Sequence, residues 1–226
     1  MTTRKGPRKI LAWHFLPEDG RLRWGTREKV QVGKVYSLPT SETPELCERG
    51  MHGSVRPLDA LQYAPGPIVC RVRLWGDVVR GDDKLVARHR EVVAIADATR
   101  ILHEFAIWCA EQALALIRQP DPRSINALGV KRAWLDGTAT NAELAAAGAA
   151  AGAAAWGAWD AAGAAAWAAG DAAWGAARDA AGAAAWDAGA AARAAARAAQ
   201  NDHLAAMLQG CLKGAAMTMA RTEATT

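Results

Sequence analysis

The densest set of chemistry-bearing side chains is the octapeptide Cys47-Glu48-Arg49-Gly50-Met51-His52-Gly53-Ser54. It brings a thiol, a carboxylate, a guanidinium and an imidazole into one short stretch. Its glycines would let a ligand approach the backbone closely, and an imidazole near its ordinary pKa can serve as acid or base. Glu48, Arg49 and His52 are therefore the candidate catalytic residues, for chemistry on an anionic, nucleotide-like small molecule. The structural alternative is a tight connection in which His52 hydrogen-bonds locally. A second set, Arg88-His89-Arg90, is the candidate binding run for a small anion, with a solvated basic strand as its alternative. His14 and His103 stand in apolar patterns as core histidines, and His203 at a helix surface. No glycine-rich phosphate loop, nucleophile elbow or metal-ligand spacing occurs, so neither a metal nor a cofactor is expected.

Charge and cysteine usage narrow the function classes. Net charge is +4 over 226 residues. Residues 1–100 carry 18 Lys and Arg against 12 Asp and Glu, and the remainder carries 9 against 11. An excess of six, interspersed with acids and without a recognised motif, does not point to nucleic acid. Arg4, Lys5, Arg8 and Lys9 form a short basic arm. The four cysteines, Cys47, Cys70, Cys109 and Cys211, form no C-x-x-C pair. Cys70 and Cys109 read as core thiols, and the pattern suits a reducing compartment. The apolar run 10–16 is interrupted by His14 and has no cleavage site, so it is not a signal peptide. The longest uncharged part of the alanine region, residues 144–159, is shorter than the roughly 18–20 residues of a membrane span. The expected location is the cytoplasm, with no membrane partner.

The elements that must position these residues predict an α+β protein. A small antiparallel β-rich N-terminal domain (1–96) is followed by a helical hairpin packed on it (97–139) and by packed Ala-rich helices (140–226). Strands are expected at Ile10–Phe15, Val30–Tyr36, Ile68–Leu74 and Val92–Ala96. In Ile68–Leu74, Ile68, Cys70, Val72 and Leu74 share one face while Arg71 and Arg73 take the other. Pro57 can open a short helix. Asp97 can cap a helix whose apolar stripe runs Ile101, Leu102, Phe105, Trp108, Cys109 and Leu116, stopped by Pro120-Asp121-Pro122. A second helix spans roughly Ser124–Leu135, with Gly137 at its C-cap.

Thr140-Asn141-Ala142-Glu143 has capping-box spacing and opens the alanine region. Ala-Ala-Gly-Ala-Ala-Ala-Trp begins at Ala150, Ala161 and Ala180, and the alanine pairs recur at a helical period. Trp156, Trp167 and Trp174 fall on one side of a helical wheel with Asp160, Asp171 and Arg178, opposite a smooth alanine face. Eight glycines between Gly148 and Gly189, at about 1 kcal/mol each, leave such a helix in need of a packing partner. The alanine face must therefore pack within the chain, with breaks such as Gly170-Asp171, or against a protein partner or second copy. Beyond Gln200, Leu204, Met207, Leu208, Cys211 and Leu212 form an ordinary apolar stripe.

Two stretches resemble known families. The run from Cys47 to Ile95, marked by Gly50-Met51-His52, Pro57-Leu58-Asp59, Tyr63, Gly76 and Gly81-Asp82-Asp83-Lys84, resembles an uncharacterised domain of bacteriophage and actinobacterial proteins. The helices from Asp97 to Leu135, with the Ala/Trp/Asp/Arg repeat ending at Ala199-Gln200-Asn201, resemble a helical family of bacterial immunity proteins. Neither resemblance implies a catalytic residue. They imply an accessory protein of a phage or high-GC bacterium, with a role in immunity or counter-defence. The leading expectation is a non-enzymatic binding or interaction module. The alternatives are an enzyme or sequestering protein for a nucleotide-like anion, and a structural or scaffold component.

Overall fold

Alternation of large apolar residues with arginines makes residues 68–75 a strand with one face for a core. In the computed structural model, which describes residues 9–23, 25–154 and 176–223, this is one of the two inner strands of a four-stranded sheet. β4 (Ile68–Trp75) pairs antiparallel with β1 (Ile10–Leu16) on one side and β7 (His89–Asp97) on the other. β2 (Val35–Ser37) completes the order β1-β4-β7-β2. A second antiparallel sheet has the order β3-β6-β5, from β3 (Met51–Gly53), β5 (Val79–Arg80) and β6 (Leu85–Ala87). One core joins Ala12, Cys70, Val72, Leu74 and Val92 of the first sheet with Leu85 and Ala87 of the second. The opposite face of β4 carries the half-buried Arg71 and Arg73, as the alternation predicts, but Val69 on that face is also fully buried.

The strand expected over Val30–Tyr36 is shortened to β2. Gly33 adopts φ +82°, and its N–H donates to Val92 O, so the chain turns before it enters the sheet.

The helices start where side-chain caps are available. α1 (Pro57–Leu61) has Pro at its first turn. Before α2 (Thr99–Ala115), Asp97 Oδ1 accepts from the N–H and Oγ1 of Thr99. α2 ends at Ala115, so Leu116, assigned by periodicity to its apolar stripe, lies beyond it and is 89% exposed. α3 (Pro122–Leu135) is capped by Asp121 and followed by Gly137 at φ +74°. α4, helical over 141–154, opens with the expected capping box: Thr140 N–H donates to Glu143 Oε2, and Glu143 N–H donates to Thr140 Oγ1. α5 runs unbroken from Ala176 to Glu223. The mixed α+β class follows, an antiparallel N-terminal region succeeded by several helices.

The chain forms two compact units, one of Met1–Leu102 with Gln200–Thr226, the other of His103–Ala199. Within the first, the C-terminal segment is tied to the β-rich region twice: Asn201 Oδ1 accepts the Leu58 N–H at 3.1 Å, and Cys211 Sγ donates to Asp97 O. Leu204, Leu208 and Leu212 of this segment are buried. Within the second, His103 meets Trp134 edge-on at 5.2 Å, and Arg132 pairs with Glu111. Among the described residues no helix is long and apolar enough to cross a membrane.

Candidate functional site

The octapeptide folds as a tight turn leading into β3. Cys47, at φ +70°, and Gly50, at φ +112°, reverse the chain so that the His52 ring lies back over its own loop. Cys47 N–H donates to His52 Nε2 at 3.2 Å, and His52 Nδ1 meets Gly50 O at the same distance. With Nε2 accepting, Nδ1 must carry the proton, so the imidazole is neutral and engaged at both nitrogens. Burial lowers its pKa, and the nearby Lys84 and Arg90 charges act the same way, against the Gly50 carbonyl. Arg49 pairs with Glu45 at 2.9 Å on the surface, and Glu48 is exposed. The structure thus keeps Glu48, Arg49 and His52 in one turn, with Arg49 and His52 directed to different local partners.

Arg88, His89 and Arg90 do not share a face. Arg88 Nε donates to Asp77 Oδ2, and its Nη1 to Pro39 O. His89 stacks on Trp75 at 5.3 Å and shares a hydrogen bond with Ser37 Oγ. Arg90 turns inward: it is 5% exposed, lies over the Tyr36 ring, and donates from Nη1 to His52 O at 3.3 Å. A solvated strand does not describe Arg90, because Val35–Ser37 pairs with this end of β7 and closes it off from water. The two candidate runs therefore meet through Arg90 and His52. His14 on β1 lies within electrostatic reach of both; its pKa is well below the ordinary value, through burial first and the Arg90 charge next. Burial pushes the neighbouring Cys70 thiol up to about 12, so it is a core thiol.

A cleft of about 230 Å³ opens between the start of α1 and the β5–β6 turn. Its walls are Val55, Arg56 and Asp59 on one side and Arg80 through Leu85 on the other. Asp59 is 2% exposed and receives Arg56 Nε at 2.7 Å. Tyr63 OH donates to Asp83 Oδ2 at 2.5 Å, and Lys84 Nζ sits 4.1 Å from the Tyr63 ring. The neighbouring Cys47 side chain is the largest cause holding that ammonium above its ordinary pKa. In the sequence, Pro57-Leu58-Asp59 and Gly81-Asp82-Asp83-Lys84 stand out as marks of the family resemblance, and Pro57 as a helix start, without any sign that the two segments face each other.

Residues 21–104 match the family described as Domain of unknown function (DUF7666). That span contains the His52 turn, Arg90, both walls of the cleft and the run from Cys47 to Ile95 that carries the sequence resemblance. No curated protein and no solved structure matches the chain.

Trp156, Asp160, Trp167, Asp171 and Trp174 of the expected interaction face, and the Gly170-Asp171 break, lie outside the described residues. Arg178 falls within α5. Among the described residues no group of three or more His, Cys, Asp or Glu is placed to hold a metal ion.

Proposed function

We propose that this chain is a non-enzymatic binding and interaction protein. Its β-rich domain recognises a ligand or partner, and its Ala-rich helices pack within the chain or associate with another copy. The observation that carries the reading is the engagement of His52 at both ring nitrogens by its own backbone. An acid–base catalyst needs a nitrogen free to exchange a proton with substrate. Here protonation would cost the Cys47 hydrogen bond, and the lowered pKa opposes it. Arg49 is likewise turned to Glu45.

The accessory role in a phage or high-GC bacterium, in immunity or counter-defence, extends this proposal. It draws its support from the sequence resemblance alone, since the family matched over residues 21–104 is a domain of unknown function. The cytoplasm is the proposed place of work, the host's if the protein is phage-encoded.

Native mass spectrometry of the chain purified from its expression host tests the reading. A co-purifying small-molecule mass or a defined multimer is the expected result. Turnover of a substrate that His52→Asn abolishes, with the circular dichroism spectrum unchanged, would overturn it.

A further inference from the structure

The cleft between α1 and the β5–β6 turn is built differently from an ordinary surface groove. Asp59 is an almost fully buried carboxylate in its wall, and it holds Arg56 by Nε. A guanidinium fixed through Nε keeps its two terminal nitrogens for a planar, two-pronged contact with an oxyanion. The Arg56 side chain is 55% exposed and lines the cleft, so that fork is open to a ligand. Arg80 lines the facing wall, and its side chain makes no hydrogen bond or ion pair among the described residues. Lys84 stands beside it, held over Tyr63. Of the three acids in the lining, Asp59 is engaged by Arg56 and Asp83 by the Tyr63 hydroxyl, while Asp82 is exposed.

We propose that this cleft binds a small soluble phosphomonoester, its phosphate gripped between the Arg56 fork and Arg80 with Lys84 as the third cation. The inference rests on the binding-module reading and gives it a ligand class. A phosphomonoester carries a charge of about −1.5 to −2 at neutral pH, which two or three convergent cations match better than a single carboxylate would. At about 30 Å³ per water, the volume admits roughly eight waters, enough for a phosphate with a small organic group. The excess of basic residues in the first 100 positions attracts such a ligand.

The test is calorimetric titration of the full chain at fixed ionic strength with inorganic phosphate, phenyl phosphate and succinate, and co-sedimentation with phosphatidic-acid vesicles. Saturable binding of phenyl phosphate, weaker for phosphate alone and absent for succinate, is expected. Arg80→Gln, on an exposed side chain without a structural partner, should weaken binding about tenfold, and Arg56→Gln at least as much. Asp82→Asn should tighten it severalfold by removing a like charge. Lys29→Gln, outside the cleft, should leave it unchanged. No saturable binding, equal binding by Arg80→Gln, preference for succinate, or capture by vesicles alone would each overturn the assignment. A co-purified ligand insensitive to Arg56→Gln and Arg80→Gln would remove the cleft and leave the binding module standing. Substrate turnover dependent on His52 would remove the module itself.

Discussion

Arg90 Nη1 donates to the carbonyl oxygen of His52 at 3.3 Å, joining β7 of the four-stranded sheet to β3 of the three-stranded one. The same guanidinium has no carboxylate partner among the described residues, and its Nε has no acceptor. A buried charge met only by a carbonyl and a ring face is costly, and burial lowers the Arg90 pKa. Arg90→Met keeps the volume and removes the charge. It should leave stability unchanged or raise it by about 1–2 kcal/mol, since one neutral-acceptor hydrogen bond is lost and a desolvation cost removed. Urea unfolding measures this. A loss of about 3 kcal/mol or more would mean that the charge is compensated after all.

Stability should fall on acidification from about pH 6.5. His14 and His52 both have lowered folded pKa values, caused first by burial and then by nearby cations, Arg90 for His14, Lys84 and Arg90 for His52. The unfolded chain therefore binds more protons than the folded one between those values and about 6.5. Their contribution is complete above pH 6.5 and is lost as pH falls through the folded values. Glu91, Asp97 and Glu143 are also lowered, but from 4.5 or 3.8, so their losses come at more acid pH. Urea midpoints should thus decline between about pH 6.5 and 5, and His14→Leu should flatten that decline. An unchanged slope in both His14→Leu and His52→Gln would refute the assignment.

Gly50 and Gly20 offer a paired test of the His52 turn. Both have positive φ, +112° and +66°. A Cβ at Gly50 would lie 2.6 Å from Val86 Cγ2 and 3.2 Å from Ala87 O, whereas at Gly20 it would meet nothing within 4 Å. Gly20→Ala should cost about 1 kcal/mol, the conformational penalty alone. Gly50→Ala adds a clash with a buried strand and should cost about 2–4 kcal/mol. Thermal melts of the two variants compare them directly, and equal losses would show that the turn relaxes freely.

What the sequence made legible was local. The β4 alternation, the Asp97 cap, the Thr140–Glu143 capping box and the Gly137 turn all depend on residues within a few positions of one another. The fate of Arg90 was not legible, because its neighbours on β2 and β3 come from elsewhere in the chain, and a guanidinium in the charged run Arg88-His89-Arg90-Glu91 reads as solvated. Val30–Tyr36 misled for a related reason: its β-branched content suits a strand, but the pairing partner accepts the chain only after Gly33. In the cleft, Asp59 at a helix start and the 80–85 turn are separate segments of sequence, brought face to face only by α1 and the second sheet. For the C-terminal stripe, periodicity predicted an apolar face but could not say what that face completes.

The C-terminal segment gives the last prediction. Asn201, 5% exposed, supplies Oδ1 to the Leu58 N–H at the first turn of α1, 143 positions away in sequence. α1 has no side-chain cap of its own at Arg56, so Asn201 does from a distance what an N-cap residue does locally. Asn201→Ala should cost about 1–2 kcal/mol and should speed hydrogen exchange at the Leu58 amide specifically. Leu204 and Leu208 are fully buried on the same segment, and each leucine-to-alanine change should cost about 2–5 kcal/mol. These losses together approach the whole stability of a small domain, about 5–15 kcal/mol. A chain ending at Ala199 should therefore fail to form the β-rich unit. Adding a peptide of residues 200–223 in trans should restore its dispersed amide spectrum. If the truncated chain gives that spectrum alone, the segment is an accessory to the unit rather than a part of it.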